Sequence, residues 1–454
     1  MTTPRQFVRR RVPFGADPVA TAAALAAASD QPHVVYEQPE ALCWAEGELA
    51  TVVVADGVTT LTLPEGQTSF PAGPSVFDGV RRALAALPFD GWRVYGWASY
   101  ELTCDPPAAE RTVHLVVPER EIRIRGASAL LIAPDEAELD LLHKRLTDAA
   151  HRAPVAPPET RIALDLTGVE TTAYRGAVAD AIATIRGGSL DKVILSRTID
   201  VPGEIDLPAT YLTGRRGNSP ARSFLLRLGD WQVAGFSPEI VARVTPDGAV
   251  VTQPLAGTRA LDGSPLLDAA RRDELYRDAK EVFEHALSVH LAATEMSTVC
   301  TPGTVGVHDF MAVKERGSVQ HLASEVNGRL AQNTTAWDVL SVLFPAITAS
   351  GIPKRPACDL IRRVEPRRGL YSGTVLMADA DGTLDAALVL RSVFRHAGRT
   401  WLQAGAGVVA QSDPARELEE TREKLLSVSR FLVPAEQTDP QGEPTRVLEP
   451  HPVI

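Results

Sequence analysis

The sequence predicts a mixed α/β (α+β) fold, and two observations carry that prediction. Four short apolar runs, Ser223 to Leu228, Trp231 to Gly235, Ile240 to Val244 and Val250 to Pro254, are separated by turn residues and read as an antiparallel meander. Around them lie stretches of helical length. Thr171 to Arg186 is capped near Thr172 and stopped by Gly187-Gly188; Asp268 to Met296 carries Leu275, Ala279, Val282, Ala286 and Val289 as its apolar stripe.

Taken in order, Val19 to Ala28 is an alanine-rich helix candidate, Val52 to Val54 and Val113 to Val117 read as strands, and Val76 to Ala86 as a helix. Ala127 to Ile132 is a strand leading into a helix over Glu136 to Ala150, and Gly96 to Glu101 is a strand with packed aromatics. The proline-rich connector Arg152 to Glu159 is too stiff and donor-poor for a helix or a central strand. It separates an N-terminal lobe, 1–155, from a core, 160–433, and the tail 434–454 is expected to be disordered.

With 454 residues, a net charge of -11 and a pI near 5.5, the chain is unsuited to nucleic acid or an anionic membrane surface. Cys43, Cys104, Cys300 and Cys358 are widely spaced, which indicates buried thiols rather than a zinc site or a disulfide framework. The basic N-terminus leads into no apolar signal region and no run is long enough to span a bilayer, so a cytoplasmic protein is expected.

Several segments carry chemical groups in telling patterns. Lys192 enters the apolar strand Lys192 to Arg197, where a snorkelling edge lysine is the ordinary reading. In Gly235-Phe-Ser-Pro-Glu239, Ser237 lacks the second glycine of a nucleophile elbow, while Glu239 is either a desolvated acid or a turn carboxylate in water. Glu281 and Glu284 stand at i, i+3 on one helix. From Gln403 to Lys424, Trp401-Leu402 ends a strand, Gly405-Ala406-Gly407 offers an amide nest, and Asp413-Pro414 starts a helix with Glu417, Glu420 and Lys424 on one face. The Gly-x-Gly-x-x-Ala spelling there is no dinucleotide site, because too little chain follows to complete the unit. The two acidic faces could give oxygen ligands to Mg²⁺ or form an ordinary salt-bridged surface. His321, the Thr348 to Lys354 turn with Ser350 as a helix cap, Tyr371, and a strand from Asp385 that delivers Arg391 complete the candidates.

These segments, in this order over about 171–432, resemble the chorismate-utilising enzymes: anthranilate, aminodeoxychorismate, isochorismate and salicylate synthases. The resemblance rests on Lys-Val-Ile-Leu-Ser-Arg at 192–197, Gly-Phe-Ser-Pro-Glu at 235–239, Gly-Thr-Arg at 257–259 and Lys-Glu-x-x-Glu-His at 280–285. Gln-His at 320–321, the 344–354 block and the 403–424 stretch complete it. It implies an anthranilate synthase component I-like fold of two packed antiparallel sheets with helices outside. It further implies Mg²⁺ on Glu284 and Glu420, with Glu281 and Glu417 close by through water. Chorismate would meet Gly257, Thr258, Thr348, Tyr371, Arg391, the Gly405, Ala406 and Gly407 amides and Lys424. Lys192 matches the base of the water-using branch, Glu239 the general acid, and His321 a residue that orients substrate. The segments around 345–354 and 419–425 look like the salicylate synthase version, which implies isochorismate formation followed by loss of pyruvate. An isochorismate synthase or an aminating enzyme is the alternative. The resemblance also implies a monomer that works without a glutamine amidotransferase, and both siderophore assembly and secondary metabolism are compatible with it.

Overall fold

The computed structural model describes residues 6–71, 73–104, 110–154, 156, 158–167 and 170–435. Among these, the strands form two antiparallel sheets, one of eleven strands and one of twelve. Both sheets draw on both halves of the chain. His33–Gln38 pairs with Arg222–Leu228 in the first, and Arg93–Ala98 pairs with Thr374–Asp379 in the second. The sheets pack face to face through alternate large side chains, including Tyr36, Phe224 and Phe394 from one and Trp97, Val375 and Met377 from the other.

Helices cover the outer faces. Pro18–Ala27, Glu136–Arg152, Leu207–Arg216 and Pro414–Ser429 lie on the eleven-stranded sheet, and Val76–Ala85, Ala279–Ser297 and Ala336–Leu343 on the other. No helix among the described residues is long and apolar enough to cross a membrane. Cys43, Cys300 and Cys358 are buried, whereas the side chain of Cys104 lies outside the described set. Most of the tail does too, although Pro434 still bridges Ile205.

The expected four-strand meander is two hairpins in different sheets. Arg222–Leu228 and Trp231–Ser237 belong to the eleven-stranded sheet, Ile240–Val244 and Ala249–Thr252 to the other. The chain changes sheets at Pro238-Glu239. Another crossing lies at 389–391, between Leu384–Leu388 and Ser392–His396, so Arg391 sits at a crossing with φ 51 rather than on a strand. The two crossings are bonded together: Leu388 N donates to Glu239 O at 3.2 Å, and Phe236 N to Arg391 O at 3.1 Å.

Other local expectations shift as well. The long helix is broken into Pro265–Arg277 and Ala279–Ser297 by Asp278, whose extended backbone ends the first and whose carboxylate accepts from Lys280 N and Glu281 N to cap the second. Of the expected stripe Leu275 and Val289 are buried, but the N-terminal half of the second helix buries polar groups in place of the rest. Ala279 is exposed and Val282 and Ala286 are half-buried, while Glu281, Glu284, His285 and Ser288 point inward. The 170–186 helix begins at Glu170, which places Thr172 inside its first turn instead of at the cap. Pro353 rather than Ser350 caps the helix Lys354–Val364, because Gly351-Ile352 pairs with the Lys192 strand.

Candidate active site

The Gln403 to Lys424 stretch does not form an amide nest. The strand Arg399–Val408 continues through it, pairing Gly405 with Ser196 and Gly407 with Ile194, and neither glycine has positive φ. The glycines are required for space. A Cβ on Gly407 would overlap the Glu284 carboxylate, and one on Gly405 would lie 3.0 Å from the Tyr371 hydroxyl and 2.8 Å from Leu195 O. Asp413 caps the next helix by accepting from Ala415 N and Arg416 N, with Pro414 at its first position, as the sequence predicts. That helix turns Glu417 and Glu420 inward and lays Lys424 along the strand, its ammonium donating to Gly405 O at 2.9 Å and Glu420 Oε1 at 2.7 Å.

A pocket opens where these elements meet the two sheet crossings. It brings together Glu239, Gly257, Thr258, Glu284, His321, Thr348, Tyr371, Arg391, Gly405, Gly407, Glu420 and Lys424. Lys192, Glu281, Ala406 and Glu417 are not on its wall. Lys192 is fully buried behind it, not an edge residue, and its ammonium lies 3.0 Å from Glu284 Oε1 and 2.9 Å from Ser288 Oγ.

At the acid end, Glu239 is buried at the first crossing. Burial pushes its carboxyl up to about 8, against the opposing effects of a hydrogen bond from Thr348 Oγ1 at 2.5 Å and the charge of Lys192. It is therefore a protonated acid at neutral pH. Opposite in character is Arg391. It is buried, with no carboxylate in ion-pair range among the described residues, donating instead to Arg316 O at 2.8 Å and to His321 Nε2. Burial and neighbouring Arg316 disfavour its charge, and an anion entering the pocket would relieve that cost. Because Nε2 of His321 accepts, the ring proton sits on Nδ1 and donates to Thr258 Oγ1 at 3.1 Å. Burial and Arg391 hold His321 well below its ordinary range, so it orients neighbours as a neutral imidazole. Thr258 is set by Gly257, whose φ of +83 makes a bulge that only glycine adopts readily and that aims Thr258 N at Glu281 Oε2, 3.1 Å away.

Glu281, Glu284, Glu417 and Glu420 form the acidic end, and lysines separate them. Lys280 Nζ lies 3.0 Å from Glu284, 3.2 Å from Glu417 and 3.5 Å from Glu281. Burial raises Glu281, and it raises Glu417 to about 7; Lys424, Lys280 and Arg416 outweigh burial at Glu420, and Lys192 with Lys280 does so at Glu284, leaving both lowered. Among the described residues no three acidic, histidine or cysteine side chains sit at metal-binding spacing. The donor set nonetheless fits a hard cation, since buried Glu417 Oε2 and Glu420 Oε2 lack any hydrogen-bond donor and carboxylate oxygens suit Mg²⁺.

Three contributors have no role in the site from sequence alone. Lys280 is i, i+4 to Glu284, a spacing that reads as a surface pair; Ser288 is one further turn along the same face; Gln403 shares the pocket-facing side of its strand with Gly405 and Gly407 by simple alternation.

The chorismate binding enzyme family profile matches residues 31–430. A salicylate synthase from Mycolicibacterium paratuberculosis is 54% identical over 261 residues, which are 57% of this chain and 58% of that protein's length. Anthranilate synthase component 1 from Halobacterium salinarum is 34% identical over 84% of this chain and 69% of its own. Among solved structures, the menaquinone-specific isochorismate synthase of Escherichia coli superimposes with a TM-score of 0.70 at 22% identity, covering 95% of this chain and 96% of that one. Anthranilate synthase component I of Streptococcus pneumoniae gives 0.68 at 26%, covering 87% and 93%. The anthranilate synthase component I-like fold expected from sequence is therefore the fold observed, and the chain belongs to the chorismate-binding enzymes.

Proposed function

We propose that the protein is a salicylate synthase that converts chorismate first to isochorismate and then to salicylate and pyruvate, and that it requires Mg²⁺. The observation that carries this reading is the buried, protonated Glu239 in a pocket backed by Lys192, an acid and a candidate base in one site. The likeness to a salicylate synthase supports it.

In the first step Lys192, in its neutral form, takes a proton from water as the oxygen bonds to C2 of the ring. Both ring double bonds shift, and the C4 hydroxyl leaves as water with the proton of Glu239. Glu284 and Glu420, with Glu281 and Glu417 beside them, would hold Mg²⁺, which would supply positive charge to the ring carboxylate. The second carboxylate meets Arg391, Tyr371, Lys424 and the strand at Gly405 to Gly407, a set with cations and hydroxyls suited to an anion. In the second step the C2 hydrogen passes to the enolpyruvyl methylene as the C3–O bond breaks, releasing pyruvate and leaving an aromatic ring. The protein's part there is to hold the side chain over the ring, a task suited to a narrow, mostly buried pocket. We read the enzyme as self-sufficient, using water and no amidotransferase.

Incubation of the purified chain with chorismate and Mg²⁺, following salicylate fluorescence and pyruvate release, tests the proposal. Salicylate and pyruvate in equal amounts, lost on chelation and restored by Mg²⁺, are expected. Isochorismate without pyruvate, or an aminated product only with ammonium, would overturn it in favour of the corresponding relative.

A further inference from the structure

Arg368 is 1% exposed, does not line the pocket, and has no part in the chemistry above, yet it joins three segments that do. Its NH1 donates to Ala349 O at 2.7 Å, in the turn that carries Thr348, and its NH2 donates to Ile194 O at 2.7 Å, in the strand that carries Lys192. Nε and NH2 also form a fork on Glu365 at 2.9 and 3.0 Å, and NH1 reaches Ser372 Oγ at 3.5 Å, so all five donors are used. The guanidinium lies 4.7 Å from the Tyr100 ring centroid and 5.7 Å from that of Tyr371. Glu365 is shared in turn. It accepts from Ser196 N at 2.5 Å and Ser196 Oγ at 2.7 Å, and Ser196 Oγ accepts from Gln403 Nε2 at 2.9 Å on the pocket wall.

We infer that Arg368, seated on Glu365, is a positioning residue that clamps the Thr348 turn to the Lys192 strand and thereby holds Thr348 in hydrogen-bond contact with Glu239. A planar fork is needed because the two carbonyls and the carboxylate must be met at once, which a single ammonium cannot do. The pairing of Gly351-Ile352 with Val193 and Lys192 fixes the far end of the turn, and the clamp fixes the end that bears Thr348. The inference rests on the assignment of Glu239 as the acid, but not on which product is formed.

The test reads Glu239 directly, without turnover. Infrared titration of the carboxyl band absent from Glu239→Gln should place its midpoint near 8 in the unaltered chain. Thr348→Val removes a hydrogen bond to the ionised form and should move the midpoint up by about one pH unit. Arg368→Met should reproduce that rise. Thr348→Val with Arg368→Met should rise no further than Thr348→Val alone, and in Arg368→Met kcat for chorismate consumption should fall about tenfold with KM little changed. Arg368→Lys, which keeps the charge and one bond, should give an intermediate midpoint, and it decides the matter if Arg368→Met does not fold. An unaltered midpoint in Arg368→Lys and Arg368→Met, or a shift that adds to that of Thr348→Val, would overturn the clamp. A chain that consumes no chorismate while showing these shifts would refute the proposed reaction and leave the clamp standing.

Discussion

Glu239→Gln should separate stability from activity. The change keeps shape and the acceptor oxygen for Thr348 but removes the ionisable proton. Moving a carboxyl from its ordinary 4.5 to about 8 corresponds to roughly 5 kcal/mol at about 1.36 kcal/mol per pH unit, a ceiling that water entering the pocket would reduce to about 3. Below pH 4.5 the folded and unfolded chains both keep this proton and the group has no effect. Between 4.5 and 8 the unfolded chain releases it while the folded chain retains it, so Glu239 lowers stability progressively as pH rises; above 8 the loss is complete. Urea denaturation of Glu239→Gln and the parent at pH 5 and pH 8.5 should therefore show the variant gaining about 2–4 kcal/mol on the parent between the two. Chorismate consumption should fall by about 10²–10⁴, the range for loss of a general acid. Parallel stability curves would mean that Glu239 titrates like a solvated carboxylate, and the acid assignment would fail with them.

Lys192→Ala should abolish isochorismate formation while leaving elimination from supplied isochorismate partly intact, measured as pyruvate release; equal loss of both steps would count against a dedicated base. Gly407→Ala should cost about 1–3 kcal/mol in urea denaturation, because the new methyl displaces the Glu284 carboxylate and strains its 3.0 Å pairing with Lys192. Arg391→Met should raise KM for chorismate by about ten- to a hundredfold, the loss expected of a charged hydrogen bond to a substrate anion.

The sequence marked candidate groups that the fold brings to one pocket, but not their surroundings. Asp413-Pro414 marked a helix start that the structure repeats, because a cap is a local bond between a side chain and amides two or three residues on. The spacing of Glu417, Glu420 and Lys424 likewise revealed a shared face. It could not reveal that this face is buried, since what it meets is the Lys280 ammonium and the Glu284 helix, more than 130 residues earlier in the chain. Glu239 shows the same limit, for its neighbours Phe236 and Pro238 left burial and exposure equally open. The sheet change at Pro238-Glu239, bonded to a second change at 389–391, settles the question.

By itself, then, the sequence determined the residue types of the site, the local caps and strands that present them, and through ordered motifs the family. Only the tertiary structure decided which strands share a sheet, that Gly405 and Gly407 clear room for Tyr371 and Glu284, and that Lys192 is sealed against Glu284 and Ser288. The physical reason is range. Caps and side-chain periodicity act over a few residues and are written in adjacent letters, whereas burial, and the charge states that follow from it, depend on elements that meet only when both sheets are assembled.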